Sequence, residues 1–219
     1  MPLIQQILFP VDFSASSAAL TPAVAAMARL TGAPVTLLHA AEALRPDLEI
    51  ADAALLAQLE QRAAGKLAPF GVDALAGLTL HRQVVPGPAA QAIVECADHM
   101  TSPLVMMPTH GQSAFRRLLL GSVTAAVLHD ADCPVWTSAH CADAGPLPTS
   151  YRSIACAVDL GPRTVDVLRF AAAFCAEVGG ASLTVVHSVP GIDPRFESAA
   201  ANRAHAFLLD AAQIGRAHV

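Results

Sequence analysis

Only 14% of the 219 residues are charged and only 5% are aromatic, with a single Trp and a single Tyr. Thirteen basic residues face 18 acidic ones, for a net charge of −5. A dedicated nucleic-acid binder carries a basic patch or stripe instead. So few aromatics also leave nothing from which to build a base-stacking platform. Long apolar runs are missing too. Leu104–Pro108 and Phe170–Ala176 are among the longest, far short of the roughly 20 residues that cross a bilayer. The N-terminus, Met1 to Gln6, has no positive segment and no cleavable apolar segment. The chain is therefore expected to be cytoplasmic and free of membrane. Cys96, Cys133, Cys141, Cys156 and Cys175 are scattered, with no Cys-x-x-Cys and no Cys/His cluster at zinc spacing. They read as free thiols of a reducing compartment, and no metal site is expected.

What is present is apolar and ordered. Hydrophobic residues make up 54% of the chain and mean hydropathy is +0.48, which excludes intrinsic disorder. At about 150 residues per domain, the length gives roughly one and a half domains.

Short apolar runs alternate with helical stretches. Ile7 to Asp12 reads as a buried strand, and Ser14, Ser16 or Ser17 can cap a helix that runs to about Thr31 and stops at Gly32. A second strand is read at Val35–His39, then a helix from about Asp47 to Leu67. The third strand, Leu78–Val85, alternates apolar and polar as a half-buried strand does. Pro86-Gly87-Pro88 turns the chain into a helix over about Ala89 to Met100. A fourth strand covers Leu104–Met107, and after a further helical region a fifth runs over Cys133–Thr137. Strands alternating with helices of this length form βαβ units and a parallel sheet. The apolar runs imply helices on both faces. The expected fold class is α/β, an open five-stranded parallel doubly wound sheet over residues 1–138. Residues 139–150, with Gly145-Pro146 and Pro148, read as a linker.

The pattern then restarts. Ile7 to Asp12 is echoed by Ile154 to Asp159, at an offset of 147. Gly32 falls on Gly179, and after one inserted residue Thr36-Leu37-Leu38-His39 falls on Thr184-Val185-Val186-His187. This is a tandem repeat, with residues 151–213 holding only the N-terminal part of the second copy. The last six residues, Ile214 to Val219, are what ATC GGA AGA GCA CAC GTC encodes, a string used as a sequencing adapter. They are expected to be an artefact of a reading frame that ran off a DNA fragment.

In an open parallel sheet, ligands bind outside the carboxyl ends of the strands, where strand order reverses. Asp12 ends the first strand. After the fourth come Pro108-Thr109-His110-Gly111, nine residues, and Gly121-Ser122-Val123-Thr124. Gly111 permits close backbone approach to a ligand. Gly121-Ser122 opens a helix whose free N–H groups, with the Ser122 and Thr124 hydroxyls, suit a phosphate.

These residues resemble the universal stress proteins, the UspA-type α/β family. Its nucleotide-binding members carry Pro-x-Asp at the end of strand one, here Pro10-Val11-Asp12. They carry Gly-x-x-Gly, nine residues and Gly-Ser/Thr after strand four, here Gly111 and Gly121-Ser122. Arg116 to Val123 and Asp132-Cys133-Pro134-Val135 look typical as well. The resemblance covers residues 3–138 fully and 152–213 in part, and implies strand order 3-2-1-4-5. It implies that Asp12, after Pro10, faces adenine and ribose, that Ala40 offers backbone groups to the adenine, and that Met107 lines the pocket. Gly111 would pass close to ribose and phosphates, and Gly121, Ser122 and Val123 would bind phosphate oxygens. The implied cofactor is ATP, with Mg²⁺; the implied partner is a second copy of the chain, joined through the fifth strand. One departure stands out. Pro108 replaces the family's first glycine, removing an N–H and fixing φ.

Other readings of the same residues stay open. Asp12 can simply cap helix one, and Gly121 can be a packing glycine between helices. His39 and His187 end equivalent strands and read as hydrogen-bonded, partly buried residues. Arg116 and Arg117 read as a solvated face, and His110 as a phosphate contact or an exposed loop residue. Asp159 repeats Asp12 without a glycine loop, so no complete site is expected there. Three functions compete: a nucleotide-binding stress-response module that works by binding, a nucleotide-independent adaptor, and a nucleotidyl-transfer enzyme. The third requires His-x-Gly-His, Ser-Gly-Gly-x-Asp-Ser or Lys-Met-Ser-Lys-Ser motifs, none of which occurs.

Overall fold

The structure is a computed structural model and describes residues 2–41, 53–109, 120–138 and 150–187. The chain divides into two compact units, Pro2–Thr149 and Ser150–Val219. In the first unit β1 (Gln6–Pro10), α1 (Ala15–Thr31), β2 (Val35–Ala41), α2 (Ala53–Leu67), β3 (Leu80–Pro86), α3 (Ala89–Asp98), β4 (Pro103–Pro108), α4 (Ser122–Asp130) and β5 (Val135–Ser138) follow in order. The sheet is parallel, as the sequence pattern predicts, with the order β3-β2-β1-β4-β5 that the family resemblance implies.

Local chemistry explains the elements. Ser14 is the N-cap of α1, its Oγ accepting the Ser17 N–H at 3.1 Å. Gly32 ends the helix at φ 72°, donating its N–H to Ala28 O at 2.9 Å, a left-handed stop that glycine adopts freely. In β1, Ile7, Leu8 and Phe9 are fully buried, so both faces of the central strand are covered. Right-handed crossovers put α1 and α2 on one face and α3 and α4 on the other. Leu8, Leu38, Val105 and Met107 form the core beneath the second pair of helices, with Ile93, Ala97 and Val127. β3 is an edge strand, its residues half-buried or exposed, in keeping with its alternating sequence.

In the second unit β6 (Ser153–Val158), α5 (Thr164–Glu177) and β7 (Ser182–His187) follow, and β6 and β7 pair in parallel. Cys156, Val158, Leu168 and Ala171 form its small core. The remainder of the expected second copy and the last six residues lie outside the described residues. Among the described residues no helix is long and apolar enough to cross a membrane.

Candidate functional site

The order of strands reverses between β1 and β4, and the backbone there opens for a definable reason. Ile7 and Val11 donate toward β2, to Pro34 O and Leu38 O at 2.9 and 2.8 Å. Strand alternation therefore turns the backbone of Pro10 toward β4, where it has no N–H to offer. Val105 and Thr109 donate toward β5, to Pro134 O and Ser138 O at 3.0 and 3.2 Å. The backbone of Pro108 is thus turned toward β1, again without a donor. Both prolines face the same gap, and β1–β4 pairing ends below them at Leu8 and Val105. A crevice begins where the ladder stops.

Asp12 stands at its β1 edge, half-buried. Its Oδ1 accepts the Ser14 N–H at 2.9 Å and the Ser17 hydroxyl at 2.6 Å. Burial pushes the carboxyl pKa up, but the hydrogen bonds from Ser14 and Ser17 outweigh it and hold the group below its ordinary value. Asp12 is therefore an ionised acceptor at neutral pH. Side-chain capping of α1 falls to Ser14; Asp12 braces that cap from below.

Gly121 stands at the β4 edge as the N-cap of α4. Its φ of −61° and ψ of 146° suit any residue. What glycine contributes is the absence of a side chain, so no side chain caps the helix. The N–H groups of Ser122 and Val123 belong to the first turn, where no intrahelical acceptor exists. Partial positive charge gathers at that end. The Gly121 N–H is engaged, donating to Thr109 O at 2.9 Å. The Thr124 hydroxyl corrects an expectation: it is buried and donates to Pro108 O at 3.1 Å. It ties α4 to β4 rather than facing a phosphate.

Ala40 lies two residues past the last β1–β2 pair, Pro10 with Leu38. Val35 donates toward β3, so alternation directs the Ala40 N–H and C=O to the β1 side, above the end of that strand. Met107 is buried with Leu8 and Leu38 in the core beneath α3 and α4. Gly111, His110, Arg116 and Arg117 lie outside the described residues.

An aromatic group was invisible in the sequence. Phe13 has φ 60°, a left-handed conformation uncommon for such a residue. Its ring lies 4.5 Å from the His39 ring and 6.1 Å from that of Phe70, which in turn meets Phe9 at 6.0 Å. The His39 Nδ1 is 2.7 Å from Val11 O, so that nitrogen carries the proton. In the second unit the His187 Nδ1 lies 2.8 Å from Val158 O. Both histidines are hydrogen-bonded and half-buried, as their shared position predicts.

Cys96, Cys133, Cys156 and Cys175 are free thiols. Burial raises the pKa of each, which keeps them protonated and weakly reactive. Cys141 lies outside the described residues. Among the described residues no cluster of His, Cys, Asp or Glu is placed to hold a metal. Two surface grooves, one along α1 at Pro22, Arg29 and Leu30 and one between α2 and β3 at Glu60 and Arg82, lie away from the crevice.

Comparison with known proteins places this architecture. The universal stress protein MJ0531 of Methanocaldococcus jannaschii is 39% identical over 59 residues, 27% of this chain and 35% of that protein. The universal stress protein Slr1230 of Synechocystis sp. is 27% identical over 134 residues, 61% of this chain and 42% of that protein. The chain thus spans less than half the length of these relatives. A solved universal stress protein from Archaeoglobus fulgidus DSM 4304 matches with a TM-score of 0.66 over 93% of this chain and 74% of that chain; at 19% identity the likeness is one of fold. The model of the universal stress protein family matches residues 4–138, the whole five-stranded sheet with both edges of the crevice, and the chain belongs to that family.

Proposed function

We propose that the first unit binds an adenine nucleotide, ATP foremost, between β1 and β4, and acts through binding rather than turnover. The observation that carries this reading is the uncapped N-terminus of α4 at the mouth of the crevice. Phosphate oxygens accept the Ser122 and Val123 N–H groups, an arrangement in which helix dipole and free donors act together. Asp12 accepts ribose hydroxyls, the Ala40 backbone meets the adenine edge, and Met107 lines the floor beside it. Gly111 lets the loop approach the phosphates, and Mg²⁺ rides on the phosphates themselves. Pro108 removes one donor from the β1 side only, so the α4 donors are unaffected by it. The ionised Asp12 is already held by Ser14 and Ser17, which suits a fixed acceptor better than a proton-transfer group.

The β6–α5–β7 segment is, in this reading, the start of a second copy, and no Gly-Ser pair like Gly121-Ser122 occurs in residues 188–219. The edge of β5 pairs two chains into a dimer in the cytoplasm. A nucleotide-independent adaptor is the second reading, favoured by the proline at position 108. Calorimetric titration of the full chain with Mg-ATP separates them. Binding tighter than about 1 mM, weakened about tenfold or more by Gly121→Asp, supports the nucleotide reading. Weaker binding that Gly121→Asp leaves unchanged supports the adaptor. Light scattering tests the dimer; a monomer at high concentration counts against it.

A further inference from the structure

We propose that His39 is a positioning residue for the nucleoside half of the crevice, an inference that rests on the nucleotide-binding reading. His39 touches both neighbours of Asp12. Its Nδ1–H donates to Val11 O at 2.7 Å on one side. Its ring lies 4.5 Å from Phe13 on the other. Phe13 is held at φ 60°, and its ring also meets that of Phe70, edge-on at 6.1 Å. A backbone fixed before and after Asp12 fixes the direction of its carboxylate. The phosphate donors sit on α4 and have no part in this brace. His39 therefore governs the nucleoside contribution to affinity and leaves the phosphate contribution alone. The second unit repeats only half of the device: His187 holds Val158 O at 2.8 Å, while the position of Phe13 is taken by Leu160, at φ 61°.

The test compares Mg-ATP with inorganic tripolyphosphate on the full chain by calorimetry. His39→Phe keeps a ring and loses the donor. It should weaken ATP about tenfold, the worth of one net hydrogen bond, with tripolyphosphate affinity within about twofold of wild type. His39→Asn restores a donor near the Nδ1 position and should recover most of the ATP affinity. Phe13→Leu should weaken ATP in the same selective way, and Leu160 shows that leucine holds this turn. His187→Phe should change neither affinity. Wild-type ATP affinity in both His39→Phe and Phe13→Leu overturns the inference. So does an equal loss for ATP and tripolyphosphate, which marks general structural support. A wild type that binds ATP but not tripolyphosphate overturns the division into halves. A wild type that binds no ATP overturns the nucleotide reading and this inference with it.

Discussion

At the exit of β1, Asp12 accepts the Ser14 N–H at 2.9 Å and the Ser17 hydroxyl at 2.6 Å. At the exit of β6, Asp159 accepts the Gly161 N–H at 2.8 Å and the Thr164 hydroxyl at 3.4 Å. Phe13 and Leu160, each one residue later, share a left-handed φ of 60° and 61°. A histidine from the next strand holds the preceding carbonyl in both units. The turn thus accompanies the β-α-β segment itself, since among the described residues the second unit builds it on two strands, β6 and β7. The supports beneath differ. Leu8 and Leu38 are 0% and 1% exposed under α3 and α4. Their counterparts Ala155 and Val186 are exposed, Val186 by 48%. A shared turn does not make a shared site: the phosphate end proposed for the first unit rests on β4 and α4.

The largest expected contrast is in packing. Leu38→Ala removes a fully buried side chain and should cost about 2–5 kcal/mol, whereas Val186→Ala should stay within about 0.5 kcal/mol. Urea unfolding followed by far-UV circular dichroism reads both units, and the single Trp, Trp136 in β5, reads the first alone. Equal losses would erase the distinction. Next comes Gly121→Asp. A carboxylate at the N-cap of α4 should leave stability unchanged or raise it by a few tenths of a kcal/mol. ATP affinity should nevertheless fall about tenfold, or roughly 1.4 kcal/mol. A parallel loss of melting temperature would show that the glycine serves packing instead.

Ser14→Ala should cost about 1 kcal/mol through the lost cap of α1. Thermal melts in which it equals wild type would deny Ser14 that role. The smallest effect is electrostatic. The folded pKa of Asp12 is depressed. Its contribution is therefore present above the unfolded carboxylate value of about 3.9 and lost as pH falls through the lower folded value. Half exposure screens it to under about 1 kcal/mol. Asp12→Asn keeps both acceptor bonds and should flatten that part of the stability–pH profile; an unchanged slope would contradict the assignment. Asp159, also depressed but fully exposed, should show the same sign more weakly.

Much of this was legible in the residues. Ile7–Phe9 and Leu104–Met107 are apolar without interruption because both faces of their strands are covered, and with strands alternating with helices this implies a doubly wound sheet. Pro10, Asp12, Gly121 and Ser122 could be placed at strand and helix ends from turn chemistry. The offset of 147 placed Asp159 opposite Asp12, and one inserted residue further on it placed His187 opposite His39. The Phe13 brace could not be read. Phenylalanine carries no left-handed preference, and Phe70 meets it from beyond α2, a contact that only the folded chain defines. Thr124 differs from its expected role for a related reason: its place in the first turn of α4 is legible, but the carbonyl that accepts its hydrogen bond, Pro108 O, sits on another element. The missing N–H groups of Pro10 and Pro108 were visible as prolines, yet their facing into one gap depends on strand register.

Hydrogen–deuterium exchange of the full chain with and without Mg-ATP tests most directly whether one turn binds and its twin does not. Slower exchange at residues 11–17 and 121–125, with residues 158–164 unchanged, is the predicted result. Protection of both turns alike, or of the second alone, would contradict it.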